Sequence, residues 1–190
     1  MYLGKEPIKG LKNTTILDFW QWSYSDILIN KNREDLGLFL VAKALGLTDI
    51  PRIDWSGCEL RYRKKKIAIK TSGYIQSWKQ KKAKRVLYDI SPKKGIDAKK
   101  KDSLTFRNRE AELYIFALAT EKDVSKMDIL NLEQWRFYIV RTAVLDDEFE
   151  TKKKIGLRAL NKLATPIHHS KIKEQIDILI DLELTERMVL

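Results

Sequence analysis

Two short runs rich in aromatic and branched apolar residues constrain the fold of this chain most strongly. The first is Leu113–Leu118 and the second is Trp135–Val140, which is interrupted only by Arg136. Their residue types favour strands, and a strand that is apolar throughout is typical of one covered on both faces. A third run, Ile67–Ile69, has the same character. The chain is therefore expected to build a central sheet with layers packed on both sides.

The segments around these runs predict helices and a hairpin. Arg33–Leu47 places Leu36, Phe39, Leu40 and Ala44 at helical spacing, with Asn30 or Asn32 as a candidate cap and Gly46 near its end. The strand-like runs Cys58–Tyr62 and Lys66–Lys70 predict a hairpin around Arg63–Lys65.

Two helical patterns follow near the end of the chain, at Lys152–Leu163 and at Ser170–Leu182, the second with Ser170 as its cap. This order of elements predicts an α/β (α+β) fold with a central mixed β-sheet flanked by helices, rather than an alternating βαβ repeat.

Length and composition limit the class of protein. A chain of 190 residues is suited to one domain, here 1–190, with a single core. No run of 18 apolar residues predicts a membrane span, and residues 1–12 lack the apolar stretch of a secretory signal. Because Cys58 is the only cysteine, neither an internal disulfide nor a cysteine-based zinc site is expected, and we interpret the chain as cytoplasmic.

The positive charge is concentrated in one segment. Between Arg61 and Lys101 there are 16 Lys and Arg residues against Asp89 and Asp97 only, whereas the whole chain carries a net charge of +11. The rest of the chain is therefore slightly acidic. A local basic surface is typical of a polyanion partner such as DNA, with RNA as an alternative. A lysine-rich surface that is merely solvated is the other interpretation.

A recognisable pattern begins after the first long helix. It comprises Pro51–Leu60 and Ile67–Trp78, in which Ile69-Lys70-Thr71-Ser72 is followed by Tyr74-Ile75-Gln76-Ser77-Trp78. Together with the preceding helix and with Leu132–Tyr138, this pattern resembles a group of uncharacterised bacterial proteins of the PD-(D/E)XK restriction-endonuclease-like superfamily. The resemblance covers most of residues 19–180, and its most specific part is Lys-Thr-Ser together with Gln-Ser-Trp.

The resemblance implies a restriction-endonuclease-like fold and Mg²⁺-dependent cleavage of DNA. In that pattern an acid on one hairpin strand faces a Glu-X-Lys motif on the next strand. Here the acid corresponds to Glu59, and the Glu and Lys of the motif correspond to position 68 and Lys70. Two carboxylates would hold Mg²⁺, and the lysine would orient the attacking water or offset negative charge. Residues 68 and 70 point to the same face of a strand. Glu59, Lys70 and Gln76 are therefore the candidate catalytic residues.

The sequence departs from the family pattern at three positions. Position 59 is Glu where the family usually has Asp, and position 68 is Ala where the family has Glu. Leu38 stands where an acid on the first long helix is expected. Alanine cannot bind a metal ion, so another acid would have to replace the lost ligand. The candidate metal ligands are Glu59, Asp54, Glu34 and Asp35.

Each candidate also has a simpler interpretation. Glu59 could pair with Arg61 or Lys66, and Lys70 could be a strand end that reaches solvent. Gln76 would bond a phosphate or orient a ligand, or else cap a helix beginning near Ser77. Trp78 is expected in the core. We expect the N-terminal aromatic residues to pack under the sheet; they are Trp20, Trp22 and Tyr24.

The dense cations around this pattern are the candidate nucleic-acid-binding residues, suited to phosphate contacts rather than to base recognition. They are Lys64, Lys65, Lys66, Lys79, Lys81, Lys82, Lys84 and Arg85.

Two functional hypotheses follow. The first is a Mg²⁺-dependent DNA endonuclease, which the intact Lys70-Thr71-Ser72 and Gln76-Ser77-Trp78 favour. The second is a catalytically inactive nuclease fold that binds nucleic acid, which Ala68 favours. A basic RNA-associated protein is a third option that depends on charge alone. Enzymes of this type often dimerise to cut both strands, and the sequence leaves a homodimer open.

Overall fold

The computed structural model describes residues 2–49, 58–80, 82–94 and 107–188. Two helices precede a series of strands, and three further helices complete the described part of the chain. The helices are α1 Ile16–Tyr24, α2 Asn30–Ala44, α3 Thr142–Phe149, α4 Leu157–Leu163 and α5 Ile172–Met188. The strands are β1 Leu60–Tyr62, β2 Lys65–Gly73, β3 Leu87–Asp89, β4 Lys93–Lys94, β5 Arg107–Asn108, β6 Leu113–Ala119, β7 Trp135–Arg141 and β8 Lys154–Gly156.

The central sheet is mixed and has the order β1-β2-β6-β7. β2 pairs in parallel with β6 along its length from Ile67 to Gly73, while β1 and β7 run antiparallel to their neighbours. β3 and β8 form a separate antiparallel ribbon, and so do β4 and β5. The predicted class, a mixed central sheet flanked by helices, is confirmed.

Each face of the sheet has its own apolar core. On one face, α2 and α5 pack against inward residues such as Ile67, Ile115 and Phe137. On the other face, the β3–β8 ribbon, α3 and α4 pack against Ala68, Phe116 and their neighbours. Every residue of β6 is buried. The two runs that the sequence singles out are thus the central strand and its partner, as expected from their apolar character.

The predicted hairpin is present, and its turn has an unusual composition. Arg63 and Lys64 have φ values of 46° and 68°, so both lie in the left-handed region that a two-residue hairpin turn of this kind requires. Arg63 donates hydrogen bonds to Asp177 and Asp181 of α5, at 3.2 and 2.7 Å. These bonds tie the turn to the helix layer and offset the strain of non-glycine residues at positive φ.

Several local expectations are wrong. α2 begins at Asn30 after Ile29, without a side-chain cap from Asn30 or Asn32, and Phe39 is 52% exposed. Residues 154–156 form β8 instead of the first turn of a helix, because they pair with β3. α5 begins at Ile172, after a short 3-10 turn at His169–Lys171, so Ser170 is not its cap.

The expectations for the exposed aromatic residues are also wrong. Trp22 is 85% exposed and Tyr24 is 44% exposed, while α1 as a whole buries no residue. Trp78 is 54% exposed rather than part of the core. Among the described residues, no helix has both the length and the apolar character that crossing a membrane requires.

A prediction follows from the contact between α2 and β2. A methyl group at Gly37 would overlap with Oγ1 of Thr71 and lie 3.0 Å from its Cγ2. Gly37→Ala should therefore destabilise the protein by about 1–3 kcal/mol through overpacking. In a Thr71→Ala background the same change should cost much less, because only the Cβ contact of 3.2 Å remains and alanine is the better helix former. Urea unfolding of the wild type, the two single variants and the double variant measures the coupling free energy between the two positions.

The Thr71→Ala background is itself suitable, since the buried Oγ1 of Thr71 has no hydrogen-bond partner among the described residues. Equal destabilisation by Gly37→Ala in both backgrounds would contradict the predicted contact.

Candidate functional site

A cleft opens beside the uncovered edge of β2. β1 pairs only with Lys65–Ile67, and no other strand of the described residues pairs with that edge from Ala68 to Gly73. α2 packs on one face of β2, and the β3–β8 ribbon packs on the other. Between these layers lies a cleft of about 610 Å³. The shortness of β1 therefore gives access to the strand that carries Lys70.

The cleft brings together residues that the sequence places far apart. Leu38 also lines it, so the helix position where an acid was expected does face this cleft. The candidate residues that line the cleft are Glu34 and Asp35 of α2, Glu59 before β1, Lys70 of β2, and Lys84 and Arg85 before β3.

Lys70 and Glu59 form an ion pair across the hairpin. Continuation of the β1–β2 register, in which Leu60 pairs with Ile67, sets Glu59 opposite Ala68. Lys70 Nζ lies 3.1 Å from Oε1 of Glu59, and the two side chains are only 24% and 30% exposed. Lys70 is thus held in the cleft by a carboxylate instead of extending into solvent, and the two charges neutralise each other.

Ala68 lies beside this pair at the wall of a smaller cavity. This cavity has a volume of about 400 Å³ and is lined by Ala68, Glu59, Lys70 and Asp89. Ala68 is 4% exposed and belongs to the core that contains Phe116. A longer side chain at position 68 would point toward the Lys70–Glu59 pair, as the expected Glu-X-Lys motif requires.

Asp89 is a cleft residue that the sequence reasoning missed. It lies on β3 and lines both cavities. Hydrogen bonds from Ser91, including a backbone bond of 2.7 Å, lower the pKa of the Asp89 carboxyl, and the positive charges of Lys70 and Lys154 lower it further. A negative charge is therefore maintained between two lysines. One signal was available, since Asp89 is one of only two acids in the basic segment.

The carboxylates of the cleft do not form a metal site in this geometry. Among the described residues, no group of three or more Asp, Glu, His or Cys side chains could hold a metal ion. Glu59 is paired with Lys70, and Asp35 with Lys31 at 2.9 Å. Asp54, the remaining candidate ligand, lies outside the described residues. The described donor set therefore does not fit the Mg²⁺ ion that the resemblance implies.

Gln76 lies away from the cleft and has a network of its own. The side chain is 4% exposed; Nε2 donates to the carbonyl of Gly73 at 3.0 Å, and Oε1 accepts from Arg33 at 3.4 Å. Arg33 is also buried, and it donates to the carbonyl of Ile75 at 2.8 Å. Burial lowers the pKa of Arg33. No helix begins near Ser77, so Gln76 connects the end of β2 to α2 rather than capping a helix.

The predicted nucleic-acid-binding lysines have different surroundings. Lys65 pairs with Glu183 of α5 at 2.8 Å and is only 12% exposed, so it stabilises the hairpin. Lys64 is exposed in the turn, whereas Lys66 is partly buried.

Lys79, Lys82, Lys84 and Arg85 are exposed in a segment that is not helical, and Lys84 Nζ lies 5.8 Å from the centroid of the Trp78 ring. Lys81 lies outside the described residues.

No family model, curated protein or solved structure matches the chain. The resemblance to the PD-(D/E)XK superfamily therefore stays a prediction from the sequence. The case for a function depends on the geometry and charges of the cleft.

The network around Gln76 leads to a prediction. Gln76→Leu should lower the free energy of unfolding by about 1–3 kcal/mol, because the carbonyl of Gly73 and the buried Arg33 would each lose a partner. Urea unfolding measures the loss. Gln21→Leu, at an exposed position of α1, is the matched control and should change stability little. A Gln76→Leu protein with unchanged stability and impaired nucleic-acid binding would instead support a direct role in the site.

Proposed function

We propose that the chain is a DNA-binding protein of the restriction-endonuclease-like class, and that the rim of the cleft beside β2 contacts the phosphate backbone. One observation carries the proposal: three exposed cations at the cleft, Lys84, Arg85 and Lys154, form no salt bridge within the described residues. Of the three, Lys154 lies opposite Asp89 in the β3–β8 ribbon. Some cations elsewhere on the surface are paired, as Lys171 is with Glu174 and Lys173 with Asp177.

The distinction between paired and unpaired cations matters for binding. A cation that already has a carboxylate partner must break that contact before it meets a phosphate. An unpaired, solvated cation has no such contact to break. When it meets a phosphate it displaces a counterion from the nucleic acid, and the release of that counterion favours association at low salt. The cleft also has one aromatic neighbour at its rim, since the half-exposed Trp78 lies next to Lys84. The cations at the rim are therefore suited to phosphate contacts.

This proposal predicts the salt dependence of binding. Lys84→Ala/Lys154→Ala should weaken binding to a fluorescein-labelled DNA duplex, measured by anisotropy over a series of salt concentrations. The slope of log K against log salt should become shallower by about 1.8, at ~0.9 for each of two lost phosphate contacts.

Lys171→Ala/Lys173→Ala, at the start of α5 and just before it, removes the same charge from paired positions and serves as the control, called the α5 control below. If both double variants changed the slope equally, net charge rather than the cleft would determine binding.

The second candidate function is cleavage of DNA by a metal-dependent endonuclease. One observation favours it: four carboxylates, those of Glu34, Asp35, Glu59 and Asp89, line the same cleft as Lys70. Carboxylates around a lysine are the groups from which a Mg²⁺ hydrolase site is built. Because no three of the described acids are arranged to hold a metal ion, the geometry supports no metal-assisted step, and binding remains the favoured function.

A gain-of-function variant separates the two candidates. If the metal site has been lost through Ala68, Ala68→Glu should bind Mn²⁺ in calorimetric titrations in which the wild type shows no heat of binding, with Ala68→Gln as the uncharged control. Plasmid nicking is measured in parallel. Metal binding and nicking by the wild-type chain would overturn the binding-only function and support the endonuclease.

A further inference from the structure

A second concave surface lies on the other side of the β3–β8 ribbon. It has a volume of about 720 Å³ and is lined by residues from the loop after β2, the end of α3, β8 and α4. Of the residues singled out in the sequence, Tyr74 and Arg85 line it. We call it the α4 groove. Its lining contains four cations and a single carboxylate, that of Glu148; the cations are Arg85, Lys152, Arg158 and Lys162.

All four of these cations are exposed, and within the described residues none of them forms an ion pair. Arg158 and Lys162 lie four residues apart on α4, so they occupy the same face of the helix. Leu160, between them in sequence, is fully buried and fixes the orientation of α4 against the sheet. The cations are therefore held along one wall of the groove without partners, which is the arrangement that an anionic chain would neutralise.

Two aromatic rings line the same groove. Tyr74 and Phe149 are both partly buried, and each has a lysine over its ring: Lys122 Nζ lies 4.8 Å from the Tyr74 centroid and Lys152 Nζ lies 5.0 Å from that of Phe149. A nucleobase would have to displace the lysine before it could stack on that face of the ring. A basic groove with aromatic side chains is the usual surface for single-stranded nucleic acid.

We propose that the α4 groove binds a single strand of DNA. A concave volume of this size is in the range of pockets that enclose small molecules, so it suits a few nucleotides of one strand rather than the width of a duplex. Arg85 lines both the cleft and the α4 groove, so one nucleic acid could contact both. This inference rests on the proposed function for the role of the cleft, and it narrows the substrate class to DNA with a single-stranded segment.

Arg158→Ala/Lys162→Ala tests the inference. The probe is a fluorescein-labelled oligothymidine, which cannot pair with itself, and anisotropy is followed over a series of salt concentrations. The variant should bind oligothymidine more weakly. The slope of log K against log salt should become shallower by about 1.4, at ~0.7 for each of two lost phosphate contacts to a single strand. Its binding to a blunt duplex should change less. Lys171→Ala/Lys173→Ala is again the control with the same charge change.

The outcomes separate the α4 groove from the cleft. The inference is supported if Arg158→Ala/Lys162→Ala loses more oligothymidine binding than the α5 control does. This holds even if Lys84→Ala/Lys154→Ala leaves duplex binding unchanged, a result that would contradict the proposed function of the cleft. Equal losses in the groove variant and the α5 control, or no loss in either, overturn the inference. A loss that is larger for the blunt duplex than for oligothymidine also overturns it. Circular dichroism confirms that the variants fold.

Discussion

Everything at the candidate site depends on the way β2 is covered. The strand is packed on both faces, by α2 and α5 on one side and by the β3–β8 ribbon with α3 and α4 on the other. One edge pairs with β6 along seven residues, but β1 covers only the first three residues of the opposite edge. The rest of that edge carries Lys70, Thr71 and Ser72, polar residues that suit an unpaired edge. Lys70 thus lies on a rigid strand and is still accessible to solvent.

Two sets of cations in this chain have different physical roles. One set is paired with acids of α5: Arg63 with Asp177 and Asp181, and Lys65 with Glu183. These pairs hold the hairpin on the helix layer. A second set, which includes Lys84 and Arg85 at the cleft and Arg158 and Lys162 in the α4 groove, forms no ion pair within the described residues. Acids of α5 thus neutralise Arg63 and Lys65 of the hairpin, whereas several cations of the cleft and the α4 groove form no ion pair within the described residues. A modest net charge can therefore include a local basic surface that suits a polyanion.

The sequence predicted the sheet much better than it predicted the layers and the site. β6 and β7 were recognisable because an apolar run requires cover on both faces, and β1 and β2 because a polar turn separates two strand-like runs. β8 was missed because its strand character comes from pairing with β3, more than sixty residues away, which no local periodicity reveals. The same pairing brings Lys154 to the cleft. Gln76 was assigned to the site by resemblance, whereas its hydrogen bonds go to Arg33 and Gly73, contacts that depend on tertiary structure.

Two of the three departures from the nuclease pattern put an apolar residue where the resemblance implies an acid, one in each of the cores that cover β2. Leu38, on α2, is 7% exposed and belongs to one core; Ala68, on β2, is 4% exposed and belongs to the other. At these two positions an apolar side chain packs where the resemblance implies a carboxylate, whereas position 59 keeps an acid. The carboxylate of Glu59 is neutralised by Lys70 at 3.1 Å. Compared with the pattern that the resemblance implies, two acids are absent and the third is held in an ion pair. We therefore expect binding rather than cleavage, and Leu38 adds to the argument that Ala68 makes alone.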